Sequence, residues 1–150
     1  MRKTKEMEAT ATISNPQTPE EIFNEGVNHC RKSGNLQGAT KGLELIRTAA
    51  RQGLAAAQNY LGNYYYIRQN EEAAKWYRLA ANQGDWHGAR AMGYLYFEGF
   101  GCTQDYQQAA NWWKRALPSI TDESDREELL GKLFEALGGG GEIQRHQRQA

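Results

Sequence analysis

Between Ala49 and Trp113 the chain repeats itself. Ala49-Ala50-Arg51-Gln52-Gly53 returns as Ala80-Ala81-Asn82-Gln83-Gly84, and Ala73-Ala74-Lys75-Trp76-Tyr77 returns as Ala109-Ala110-Asn111-Trp112-Trp113. Ala57-Gln58-Asn59-Tyr60-Leu61-Gly62-Asn63-Tyr64-Tyr65 returns, less faithfully, as Gly88-Ala89-Arg90-Ala91-Met92-Gly93-Tyr94-Leu95-Tyr96. A period in the thirties admits few architectures, because each repeat is one supersecondary unit that buries its apolar face only against its neighbours. The units align on Gly26, Gly62, Gly93 and Gly131, separated by 36, 31 and 38 residues. The outer copies are degenerate: His29 stands where the others have Tyr65 and Tyr96, and Pro118 to Ser124 replaces the alanine-rich turn. Terminal units of a helical solenoid face water on one side, so divergence at both ends is expected.

Residues 1–17 are polar, aperiodic and contain Pro16, and are expected to form a disordered segment. Order begins at Thr18-Pro19-Glu20-Glu21, which reads as a capping box with proline at the first helical position. Apolar spacing then predicts seven helices. The first covers 19–32 and is broken by Ser33-Gly34-Asn35, where Gly34 would supply a left-handed end. The second covers 38–52 and the third 54–67. Asn70 is the expected cap of the fourth, which runs to Gln83, and Asp85 that of the fifth, which ends near Glu98. Asp105 opens the sixth, bounded by Pro118, and Thr121 or Asp122 opens the seventh, which reaches Leu137. Residues 138–150 begin with four glycines and are expected to be a flexible tail, leaving 18–137 as one repeat domain.

A glycine inside a helix costs ~1 kcal/mol relative to alanine. Its recurrence at one place in every unit implies close approach of a partner helix, flanked by Leu61 and Tyr65. Trp76 with Tyr77, and Trp112 with Trp113, are expected to supply the bulk around it. Truncating a buried tryptophan costs ~3–5 kcal/mol, so Trp76→Ala or Trp112→Ala is expected to unfold most of the domain.

The run of alanine, Leu61-Gly62 and paired aromatics, with Glu72-Ala73-Ala74-Lys75-Trp76-Tyr77 and Ala80-Ala81-Asn82-Gln83-Gly84, resembles the Sel-one-like repeat family, a relative of the tetratricopeptide repeats. The resemblance is specific over residues 50–116, weaker over 22–53 and marginal over 122–137. The chain departs from the pattern at Gly88, where alanine is usual, and in the second unit, which lacks the glycine-containing loop. It also lacks the cysteine pairs of secreted members. The resemblance implies an all-α fold: a right-handed α-solenoid of antiparallel helix pairs, about three repeats plus a C-terminal capping helix, whose first helices line a concave face. It also implies a non-enzymatic adaptor that holds a peptide or protein partner, and it brings no catalytic residue.

With Leu61, Gly62 and Tyr65 facing inward, Asn59, Asn63 and Tyr66 point toward the groove. Their equivalents in the next unit are Arg90, Tyr94 and Phe97, with His87 one turn earlier. Those of the first unit are Phe23, Val27 and Cys30. Asparagine both donates to and accepts from an extended backbone, and aromatics and arginine dominate binding hot spots. Asn59, Asn63, Tyr66, His87, Arg90, Tyr94 and Phe97 are therefore the candidate partner-binding residues. The competing assignment for Tyr66 and Phe97 is a bridge between adjacent helices in the core.

Other functions find little support. Eighteen basic and eighteen acidic side chains balance, and the basic ones gather on no single helix face, so nucleic acid is not an expected partner. No apolar run approaches the ~20 residues that span a bilayer, and Glu6 and Glu8 stand where a leader needs an apolar stretch. Cys30 and Cys102 read as free thiols in a cytoplasmic protein. His29-Cys30 fails as a base and nucleophile, because adjacent helical side chains diverge by about 100°. His87, His146 and Cys102 lack metal-site spacing, and Gly99-Phe100-Gly101 follows a helix rather than a strand, so no metal and no cofactor is expected. Asp122, Glu123, Asp125, Glu127 and Glu128 form an acidic patch that reads as a dipole-favoured, solvated face or as a contact for a basic partner. The alternatives to an adaptor are a structural module that self-associates through a terminal repeat, and a small enzyme or metal protein, for which no titrating cluster is present.

Overall fold

The computed structural model describes residues 16–139. Residues 1–15 and 140–150 lie outside the described residues, and the disordered segment and flexible tail expected at the two ends fall mainly there. Seven helices follow in order: α1 Pro19–Lys32, α2 Leu36–Arg51, α3 Ala55–Tyr66, α4 Asn70–Asn82, α5 Trp86–Glu98, α6 Tyr106–Ala116 and α7 Glu123–Phe134. No strand occurs among the described residues. A 3-10 turn at Leu117–Ser119 follows α6, and a π turn at Glu135–Gly139 ends the helical region.

Side-chain caps set most of the starts. Thr18 accepts from the Glu21 amide at 3.2 Å while the Glu21 carboxylate accepts from the Thr18 amide at 2.9 Å, closing the expected box. Asp85, Asp105 and Asp122 each accept from backbone amides of the first turn they precede. Two boundaries differ from expectation. Asn35 caps α2 by accepting from the Gly38 amide, so that helix starts at Leu36 rather than 38, and Gly34 does not take a left-handed φ. Asn70 is the first helical residue of α4 and not its cap; the preceding Gln69 makes no capping side-chain bond. Gly53, Gly84 and Gly99, with φ of 95°, 88° and 73°, turn the chain at three helix ends as glycine can.

The helices pack as successive hairpins, α1 on α2, α3 on α4 and α5 on α6, with α2 on α3 and α4 on α5 joining the units. Each hairpin closes on a glycine, in two ways. In the first, a Cβ on Gly26 would sit 2.8 Å from the Gly42 carbonyl oxygen, so two backbones touch directly. In the second and third, an aromatic ring fills the notch: Tyr77 lies against Gly62 and Trp113 against Gly93. The bulk therefore comes from the second aromatic of each pair, and Trp113 is fully buried with its indole N–H donating to the Arg90 carbonyl at 3.1 Å. Trp76 and Trp112 are half-buried, Trp76 against the apolar cluster around Ile22 and Ile46 and Trp112 under the Arg115 guanidinium 4.4 Å away, and the fully buried indole is that of Trp113. Gly88 replaces alanine because α5 crosses α4 closely there: a Cβ would lie 2.8 Å from both the Ala81 nitrogen and the Tyr77 oxygen.

Two apolar clusters result, one around Ile22, Ile46, Ala49 and Leu61, the other around Tyr77, Met92, Leu95, Trp113 and Leu129. Tyr65 packs against both. Polar ties repeat with the units: Arg47 donates to the Tyr65 hydroxyl at 2.7 Å, and thirty-one residues on Arg78 donates to the Tyr96 hydroxyl at 3.1 Å. Gln58, 4% exposed, donates to the Ala50 carbonyl at 3.0 Å and accepts from Gln83 at 2.8 Å.

Candidate partner-binding cleft

The first helices of the second and third units, α3 and α5, border a cleft of about 290 Å³. Asn59, Asn63 and Tyr66 line one wall, and His87, Arg90, Ala91 and Tyr94 the other, with Tyr77 of α4 between them. Six of the seven residues expected from helical spacing are thus brought together. Phe97 is not among them. It lies four residues after Gly93, on the same helix face, and is 9% exposed, its ring 5.5 Å from Trp113 and 5.2 Å from Tyr106. Its assignment to the groove is corrected to the core. Tyr66 holds the equivalent place after Gly62 but ends its helix and stays 38% exposed, edge-on to Phe100 at 6.1 Å. In the first unit Phe23, Val27 and Cys30 pack against the Ile22–Ile46 cluster and do not line this cleft.

The polar atoms of the cleft are partly engaged. Asn63 accepts from the Tyr77 hydroxyl at 2.6 Å. Burial, and then the neighbouring Tyr66 phenol, push the Tyr77 hydroxyl up to about 12, so it remains a donor through neutral pH. Asn59 has a buried Oδ1 with no hydrogen-bond partner among the described residues, an acceptor left unmet. His87 stacks on Trp86 with ring centroids 3.7 Å apart and stays exposed.

α7 tethers two of the cleft residues, which the spacing argument missed. Tyr94 donates to the Glu128 carboxylate at 2.7 Å, and Arg90 reaches Asp125 at 3.4 Å while lying 5.4 Å over the Trp86 ring. Burial first, and Glu128 second, push the Tyr94 hydroxyl up to about 12. Two of the five carboxylates in the acidic patch therefore hold cleft residues instead of facing solvent alone. Tyr77 was read from the sequence, together with Trp76, only as bulk beside the glycine and not as part of the cleft it also lines.

The chemistry offered is hydrogen bonding, one guanidinium and aromatic surface. His29 sits 3.7 Å from Glu25, while the Cys30 thiol points to the Ala39 carbonyl, so they form no catalytic pair. Among the described residues no group of three His, Cys, Asp or Glu side chains could hold a metal, and no helix is long and apolar enough to cross a membrane. A second hollow of about 500 Å³ runs along α4, lined by Glu71, Lys75, Arg78 and Leu79 among others.

Comparison with known proteins bears on the repeat itself. The Sel1 repeat family model matches residues 55–85 and 86–117, which are the α3–α4 and α5–α6 hairpins with their turns. The two central units are Sel1 repeats. The α1–α2 hairpin, with its glycine-on-glycine contact, falls outside the matched residues. Two solved structures share the all-α solenoid. A Sel1 repeat protein from Oxalobacter formigenes superposes with a TM-score of 0.63 at 32% identity, over 69% of this chain and 44% of that one. A protective antigen present in uropathogenic Escherichia coli strains, displaying an SLR fold, gives 0.62 at 33% identity, over 67% and 23%. The chain thus spans less than half the length of either. No curated protein matches by sequence.

Proposed function

We propose that this chain is a non-enzymatic adaptor whose Sel1 units hold a peptide or protein segment in the cleft between α3 and α5. The observation that carries the reading is the cleft itself, where Asn59 and Asn63 of α3 face Arg90 and Tyr94 of α5 and where Tyr66 and His87 stay exposed. Asparagine side chains in such a cleft can both donate to and accept from the backbone of an extended segment. Exposed rings beside them supply contact area at low conformational cost, as in binding hot spots. The free thiols Cys30 and Cys102 are compatible with a reducing, cytoplasmic setting.

Tyr66→Ser combined with His87→Ser tests this directly. Both side chains are exposed, so the melting temperature is expected to stay within about 2 °C of the parent, since surface changes stay within ~0.5 kcal/mol. Capture of the partner from lysate of the source cells is expected to fall at least tenfold. Undiminished capture by the folded variant would move the site elsewhere.

A further inference from the structure

Among the described residues, α7 carries the repeat's glycine without the partner helix that follows it in the Sel1 units. In the Sel1 units the residue before that glycine, Leu61 or Met92, is fully buried. The equivalent Leu130 is 47% exposed, and Phe134 and Leu137 beyond it are 79% and 52% exposed. Among the described residues a Cβ on Gly131 would meet nothing within 4 Å, whereas rings fill the notches at Gly62 and Gly93. The other side of α7 is already used, with Leu129 buried and Asp125 and Glu128 engaged by Arg90 and Tyr94. Among the described residues nothing covers this apolar face.

The charge pattern along that face decides what covers it. Glu123, Glu127, Leu130 and Phe134 follow at spacings of four, three and four, and so share one side of the helix. The stripe is acidic in its first half and apolar in its second. Glu127 stands where the Sel1 units have Gln58 or Ala89, both buried, so a cover that reaches it must bring a cation. A second copy of α7 laid antiparallel over the whole stripe would set Leu137 against Glu123; laid parallel, it would set carboxylate on carboxylate. The chain's own residues 142–150 bring Arg145 and Arg148, but their only large aliphatic side chain is Ile143 and they have no phenyl, phenol or indole ring for the notch.

We propose that α7 docks a helix of a different protein, antiparallel to itself. An aromatic ring of that helix enters the notch at Gly131, and Lys or Arg side chains near its C-terminal end meet Glu127 and Glu123. The chain's own α6 shows the composition required: Trp113 in the Gly93 notch, then Lys114 and Arg115 in the last turn. This surface is separate from the cleft and stands or falls without it.

A fluorescent peptide copying residues 105–117 is the probe, titrated against the full chain. One-to-one binding is expected, weakened at least tenfold by Phe134→Glu and at least threefold by Glu127→Lys. Melting temperatures of both variants should be unchanged, because both positions are exposed. A peptide carrying Lys114→Glu and Arg115→Glu is expected to recover the affinity lost in the Glu127→Lys chain. No binding at millimolar peptide, or binding indifferent to both substitutions, overturns the proposal. So does a tenfold gain in affinity on removing residues 142–150, which would make the tail the occupant. A sedimenting dimer that Phe134→Glu dissolves would make the occupant a second copy and overturn it equally.

Discussion

At the scale of single residues, a glycine means what its surroundings make it mean. Gly93 and Gly131 occupy the same place in the repeat, yet one is pressed against the Trp113 ring and the other faces open space. Alanine is favoured over glycine in a helix by ~1 kcal/mol, and that preference is all Gly131→Ala should express. Gly93→Ala must instead displace a fully buried indole that also holds the Arg90 carbonyl. Overpacking of this kind costs about 1–3 kcal/mol. Urea denaturation is expected to show Gly131→Ala raising stability by about 0.5–1 kcal/mol and Gly93→Ala lowering it by about 1–3. Equal effects at the two sites would mean that the ring does not close the notch. The repeat of glycines was legible in the sequence because spacing survives in any alignment of a chain with itself. Which of Trp112 and Trp113 enters the notch was not legible, since adjacent residues differ only by a 100° rotation that depends on how the two helices cross. The burial of Phe97 beside an exposed Tyr66 was hidden for a related reason. Equivalent positions diverge when one of them ends its helix.

At the scale of elements, the stack is held by contacts between a helix and its neighbour one unit on. Gln58 of α3 links the end of α2, through the Ala50 carbonyl, to the end of α4, through Gln83. It is the one buried polar side chain so placed among the described residues. Removing a buried hydrogen-bonded partner costs about 1–3 kcal/mol. Gln58→Ala is therefore expected to loosen the α1–α2 hairpin from the Sel1 units. Hydrogen exchange should show amides of 19–51 exchanging at least fivefold faster while those of α5 and α6 keep their protection. Uniform acceleration would indicate a single cooperative unit without a weak joint at this position. Helix starts were readable where an aspartate or a capping box announced them, as at Thr18, Asp85 and Asp105. They were misread at Asn35 and Asn70, where asparagine serves as a cap in one case and as the first helical residue in the other. Local propensity does not separate those roles, and both connections have the same length, residues 33–35 and 67–69.

At the scale of the whole molecule, a stack in which each unit touches only its neighbours places equivalent positions of successive first helices side by side. That is why Asn59 and Asn63 meet Arg90 and Tyr94, each thirty-one residues on, across one cleft that His87 also lines. This much followed from periodicity. The tethering of Arg90 and Tyr94 by α7 did not, because a degenerate fourth unit gives no register from which to place Asp125 and Glu128 opposite them. The measurement that bears most directly on the adaptor role is site-specific photocrosslinking, with a benzophenone side chain placed at His87 or, as a control, at Lys75 on α4. Both positions are exposed, and only the first borders the cleft. A crosslink to the captured partner is expected from His87, lost when Tyr66→Ser is added, with Lys75 silent. A crosslink from Lys75 while His87 stays silent would contradict the cleft as the binding surface.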